Sequence, residues 1–300
     1  MIPIRHGHSL VLAITITCCS LVTSGVHGKP ASWELSSEQI ATFRREGVLV
    51  IPGLLRDKEL QDAIRAVKRI QRSQNLAQRV FYRLFPSYKS LQFQSWRKHR
   101  ALEKVAFDSA APTICAQLMG LSCENNNNNP RCVRLLKDAV LGYRAGDRGC
   151  GWHVDDKIFW PCEDRNVGKP DAGINVWITL SPVSCAEGGG LAVAPGSHRK
   201  RFAKRARQVI ASKGHVTTNL LETLDPECHE KMESLKRVYD LEPGDAIVHD
   251  RYIFHRAYPF VDPIEGKKAG VKHRISLPVS YTHLRAHETK ANLVCRLLLE

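Results

Sequence analysis

Three hundred residues are enough for one large domain or two small ones with a sizeable core. A hydrophobic fraction of 43% beside a charged fraction of 25% is that of an ordinary globular protein and excludes a disordered or low-complexity chain. The net charge of +14 suits anionic ligands. However, the densest basic run, HRKRFAKRAR (198–207), carries a single aromatic and no nucleic-acid motif, so it reads as a solvated loop face and no nucleic-acid partner is expected.

Residues 1–28 hold Arg5, the apolar run LVLAITITCCSLV and small residues up to Gly28, the order of a signal or targeting peptide. Delivery to the secretory pathway or an organelle is therefore expected. No other stretch reaches spanning length, so no membrane span is expected in the mature chain.

From residue 29 to about 130 the pattern is mainly helical. Ser36 and Gln39 form a capping box, Ile40 and Phe43 share a helical face, and Gly47 supplies the stop. VLVIP then reads as a short buried strand. Leu60, Ile64, Val67 and Ile70 restore a 3.6-residue period, and 76–120 reads as largely helical. NNNNNP (125–130) marks a boundary. Cys115, Cys123, Cys132, Cys150, Cys162, Cys185 and Cys228 include no C-x-x-C pair, which argues against a zinc ribbon or redox motif.

Beyond residue 131 short strands alternate with Gly/Pro turns. INVWITL (174–180) puts Ile174, Val176, Ile178 and Leu180 on one face; EGGGLAVAPGSH, LEPGDAIVHDRYIFH and KHRISL are further strand-and-turn units. The fold class is α+β to mainly β: one compact unit, with helical residues 29–130 wrapping a sandwich or barrel at 131–278. From Val279 onward, VSYTHLRAHETKANLVCRLLLE resembles the translated read-through of a sequencing-library adapter. Residues 279–300 are therefore treated as non-native and given no functional role. The metal-like spacing of His283 and His287 is set aside with them.

The chemistry concentrates in GWHVDD (151–156). On an extended strand, period 2 puts His153 and Asp155 on one face and Trp152 and Asp156 on the other. A lone His-x-Asp is a weak signal and by itself reads more readily as a surface or satisfied core pair than as a ligand pair. A third ligand can come from GDAIVHDRYIFHRAY, where His249 and His255 compete. Six residues apart on one strand they would lie about 20 Å apart, so only one could reach a given ion. Two histidines and one carboxylate form the facial triad of non-haem iron(II) oxygenases, and some catalytic zinc sites share that set.

The stretch 35–277 resembles the phytanoyl-CoA dioxygenase family of Fe(II)- and 2-oxoglutarate-dependent oxygenases. Five motifs carry the resemblance in order: LSSEQIATFRREGVLVIPGLL, GWHVD, INVWITLSPVSCAEGGGLAVAPGSH, PGDAIVHDRYIFHRAYP and HRISL. It implies a double-stranded β-helix (jelly roll, cupin-like) with packed N-terminal helices. It also implies that His153, Asp155 and His255 are the catalytic metal ligands, leaving His249 a packing or supporting residue. Arg274 matches the arginine that pairs with the distal carboxylate of 2-oxoglutarate, and Ser276 stands two residues on. Trp177 is a third cofactor-binding candidate, with pocket lining and packing under the helices both open to it. His198, in PGSH, matches a structural turn. One departure is the 19-residue span from His255 to Arg274, which is long for the family. The implied cofactors are Fe(II), 2-oxoglutarate and O2, and the implied activity is hydroxylation of a small organic or acyl substrate with release of succinate and CO2. Asp155 argues against halogenation, which needs a small residue there. The competing class is a catalytically silent jelly roll that binds metal or serves structurally; a zinc hydrolase would leave Arg274 without a task.

Overall fold

A computed structural model describes residues 33–72, 76–77, 80, 83, 91–121, 133–145, 149–155, 173–205, 208, 220–261 and 273–283. The expected targeting segment at 1–28, Asp156 and His287 lie outside these residues.

Helix α1 (Ser37–Glu46) begins as its sequence dictates: the Ser36 hydroxyl accepts from Gln39 N while the Gln39 side chain accepts from Ser36 N. It ends on Gly47, left-handed at φ 74°, where a Cβ would run into the His198 ring. His198 Nε2 lies 3.3 Å from the Arg44 carbonyl, so this histidine ties the PGSH turn to the helix end. Strand β1 (Val48–Ile51) follows, then α2 (Asp57–Arg72), which buries Ala63, Ala66, Val67 and Ile70.

β2 (Leu91–Phe93), α3 (Arg100–Phe107), α4 (Ala110–Leu118) and β3 (Val133–Arg144) come next, then β4 (Ile174–Thr179) and β5 (Leu191–Val193). α5 (Leu220–Leu224) and α6 (Pro226–Leu235) precede β6 (Ala246–Asp250), β7 (His255–Ala257) and β8 (His273–His283). Six strands form an antiparallel major sheet in the order β1-β6-β4-β8-β3-β2, and β5 pairs with β7 in a minor sheet.

Both outer strands of the major sheet, β1 and β2, come from the N-terminal part, so that part does more than wrap the core. β2 lies inside a stretch expected to be largely helical. Three residues carry no readable period, and LQF becomes a strand only because β3 pairs with it.

Four layers result. Ile174, Val176, Ile178, Leu180, Leu277 and Val248 face α1–α4. Trp177, Val48, Ile247, Val193 and Ile253 fill the space between the sheets. Behind the minor sheet, Trp152, Val154, Tyr252 and Phe254 pack with Cys228 and Met232 of α6. β4 is buried along its whole length because it is covered on both faces. The last five residues of β8 belong to the adapter-like stretch. Their alternation fits the strand slot beside β3 and β4, which carries the folded unit past the expected boundary at 278. Among the described residues no helix is long and apolar enough to cross a membrane.

Candidate metal centre

Residues 151–155 form no regular strand; within them one bridge, at His153, pairs with β7. His153 N donates to the His255 carbonyl (3.0 Å), and His255 N donates to the His153 carbonyl (2.9 Å). The period-2 alternation holds on both sides of this bridge. Trp152 and Val154 point toward α6, as do Tyr252 and Phe254, so His153, Asp155 and His255 point between the sheets. One candidate ligand atom from each of the three lies within 4.8 Å of the others. Asp155 and His255 are buried, and His153 is half-buried.

The expected distance between the two competing histidines needs correction. His249 ends up beside His255, with ring centroids 4.8 Å apart rather than a strand length away. The chain does not continue as one strand: β6 ends at Asp250, residues 251–254 turn, and His255 opens β7 in the other sheet. Asp250 builds that turn by accepting from Tyr252 N at 2.7 Å. His249 faces the site from β6, opposite Val48 and Asn175, but stays outside the three-residue cluster.

The donors are held in ligand form. A carbonyl can only accept, so His153 Nδ1 must donate to Gly151 O (2.7 Å) and His255 Nδ1 to Ile253 O (3.1 Å). Each Nε2 keeps its lone pair, and His255 Nε2 lies 3.7 Å from Asp155 Oδ1. The other Asp155 oxygen, Oδ2, accepts from Asn175 Nδ2. Burial pushes the His255 pKa down to about 4, with His249 acting in the same sense and Asp155 against it. Burial alone would raise Asp155, but the surrounding histidines and Lys137 outweigh it and hold the carboxyl below its ordinary value. Neutral imidazoles and an ionised carboxylate are the protonation states a divalent cation requires.

Asn175 was missed in the sequence. The available signal was a polar residue within a strand apolar at nearly every other position. Asn175→Ala is expected to weaken divalent-metal affinity about 10- to 100-fold, read by equilibrium metal titration, because Asp155 loses the partner that orients it. Asp250 yields a second test. Burial raises its pKa from 3.8 to about 7, against the Tyr252 N–H and Arg251. A carboxyl whose folded pKa is raised contributes stability below its unfolded pKa and loses it as pH rises through the folded one. Asp250→Asn keeps the turn acceptor and removes the charge. It should therefore be more stable than the parent at pH 8, by up to about 4 kcal/mol, with no gain below pH 4 in chemical denaturation.

Beside the cluster lies a buried cation. Arg274 projects from β8 on the face of its ladder partner Tyr143, and its guanidinium lies 5.1 Å from the Tyr143 ring and 5.0 Å from that of Trp177. Trp177 therefore faces between the sheets, not under the helices. Arg274 Nε has no hydrogen-bond partner, and no carboxylate among the described residues pairs with it. Burial lowers its pKa to about 10, which leaves it charged at neutral pH. Ser276 shares this face opposite Thr179, fully buried, its hydroxyl without a partner. The Cys150 thiol, pushed up to about 11 by burial, feels the charges of both Arg274 and Asp155.

A buried two-histidine, one-carboxylate centre between antiparallel sheets is the arrangement of mononuclear non-haem metal oxygenases. The phytanoyl-CoA dioxygenase (PhyH) family model matches residues 43–261, and the chain belongs to that family. Ectoine dioxygenase of Nocardia farcinica is 25% identical over 176 residues, 57% of this chain and 54% of that protein, so the match spans about half the length of that relative. Among solved structures, EctD from S. alaskensis with 2-oxoglutarate and 5-hydroxyectoine is 16% identical with a TM-score of 0.58, covering 85% of this chain and 78% of that one. The non-haem alpha-ketoglutarate-dependent carbocyclase SnoK from nogalamycin biosynthesis is 18% identical with a TM-score of 0.57, covering 86% and 87%. At these identities the likeness is one of fold.

Proposed function

We propose that the protein is a dioxygenase that hydroxylates a small organic or acyl substrate at an Fe(II) held by His153, Asp155 and His255. In the reaction 2-oxoglutarate and O2 become succinate and CO2, and one oxygen atom is inserted into a substrate C–H bond. The observation that carries this reading is a ligand-ready triad together with a buried guanidinium that has no carboxylate partner among the described residues.

The residues present fit both groups. His153 and His255 would offer Nε2 and Asp155 would offer Oδ1 to the ion, a donor set that suits Fe(II). Bound iron supplies the O2 activation that no side chain can perform. Asn175 keeps Asp155 turned, so that its other oxygen faces the imidazoles. Arg274 offers the distal carboxylate of 2-oxoglutarate a planar fork that is charged at neutral pH, and Ser276 can add a hydroxyl donor. Tyr143 and Trp177 flank the guanidinium, restrict its rotation and keep water from it. The carboxylate at 155 favours hydroxylation over halogenation, since it occupies the position a halide would take. On the same reading, residues 1–28 direct the chain to the secretory pathway or an organelle, which a reporter fused to that segment would test.

The decisive measurement uses protein loaded anaerobically with Fe(II), mixed with 2-oxoglutarate and then exposed to O2. Succinate is expected even without substrate, and substrates are found by the rise in its rate. Absence of succinate from folded, iron-loaded protein rejects the reading.

A further inference from the structure

The two histidine-bearing segments are joined by a backbone bridge between His153 and His255 and by a hydrogen bond from Ala257 N to Cys150 O (3.0 Å), and residues 151–155 extend this pairing into no regular strand. So short a pairing constrains the angle between the imidazoles less than a full ladder would. The outer side carries a second connection. Trp152 precedes His153 and Arg256 follows His255, so each points away from the metal side, and both end on one carboxylate. The Trp152 indole Nε1 donates to Glu233 Oε1 at 2.7 Å, and an Arg256 guanidinium nitrogen lies 2.9 Å from the same oxygen. The Arg256 guanidinium lies 5.4 Å from the Trp152 ring, closing a triangle. Glu233 Oε2 is held in turn by Lys236 Nζ at 2.8 Å, one turn along α6.

The geometry points to Glu233 as a positioning residue for the metal centre: by tying Trp152 to Arg256, it fixes the relative orientation of His153 and His255 from behind. Glu233 touches neither histidine and acts only through their neighbours. The helix does not depend on it for attachment, because Cys228 and Met232 anchor α6 in the same apolar cluster as Trp152, Val154, Tyr252 and Phe254. Nothing in the sequence announces the link, since Glu233 lies 80 residues from one segment and more than 20 from the other. The inference rests on His153, Asp155 and His255 being the ligands, as proposed above.

Co(II) serves as the probe, because its visible absorption reports both occupancy and ligand geometry in the full chain, and melting of the apoprotein is followed in parallel. Glu233→Ala should raise the Co(II) dissociation constant about tenfold and alter the visible band, the range expected when a supporting partner is lost. Glu233→Gln keeps an acceptor oxygen in place and should recover most of the affinity. Met232→Ala opens a cavity on the same helix and should lower the melting temperature more than Glu233→Ala does, while leaving Co(II) affinity within about twofold of the parent. The proposal falls if Glu233→Ala leaves Co(II) binding unchanged, if Gln is as damaging as Ala, or if Met232→Ala weakens binding equally. Asp155→Ala separates the two levels. If it leaves Co(II) binding intact, the ligand assignment fails; if it abolishes binding while Glu233→Ala is silent, only the positioning role fails.

Discussion

Replacing Asp155 by alanine is expected to give a folded protein that no longer retains a divalent metal and forms no succinate. Asp155 supplies one of three donors and the only negative charge among them. Two neutral imidazoles alone hold a ferrous ion poorly, so the loss should exceed the roughly 10- to 100-fold cost of removing an outer partner. The substitution also leaves an Asn175 amide donor without its acceptor inside the protein, which costs about 1–3 kcal/mol of stability. That is a fraction of a typical domain's stability, and Asp155 belongs to none of the apolar clusters, so the fold should persist. Metal content after gel filtration, circular dichroism and succinate formation measure the three parts. Asp156→Ala should spare all of them; the reverse pattern would overturn the strand alternation that selects Asp155.

Arg274→Gln should act on 2-oxoglutarate and leave the metal in place. Removing one partner of a buried, hydrogen-bonded charge pair costs about 2–5 kcal/mol, so the KM for 2-oxoglutarate should rise at least ~30-fold, with Co(II) affinity unchanged. Lysine restores the charge but not the planar fork and should recover only part of the loss. The apoprotein provides a further reading with a definite sign. A guanidinium buried with no carboxylate among the described residues to offset it costs stability, so ligand-free Arg274→Gln should melt no lower than the parent. A variant that melts lower and binds 2-oxoglutarate normally would make Arg274 a structural residue.

How much of this was readable beforehand varied with the range of the physics involved. The capping box of α1 is legible because Ser36 and Gln39 answer each other within one turn. The faces of β4 are legible because a strand alternates whatever surrounds it, and the same rule selected Asp155 over Asp156. The face of Trp177 followed from that period, but what lay on that face did not. His249 was misplaced for a related reason. Period says which way a side chain points along a strand but not where the strand ends, and four turning residues brought two rings together that a continuous strand would have kept apart. Asn175 and Glu233 were invisible because their partners, Asp155 on one side and Trp152 and Arg256 on the other, are distant in sequence.

The sequence by itself therefore determined the local terms: the helix caps, the alternating faces, the donor types His, Asp and His, and through its motifs the family. These depend on backbone period and on chemistry carried by single residues. Through the family motifs the sequence also nominated the three donors; tertiary structure alone decided the distances at which they meet, that Arg274 lies buried beside two aromatic rings, and which outer groups flank the histidines. Those are distances between strands far apart along the chain, set by the packing of two sheets and a helix, and no property of a short segment contains them.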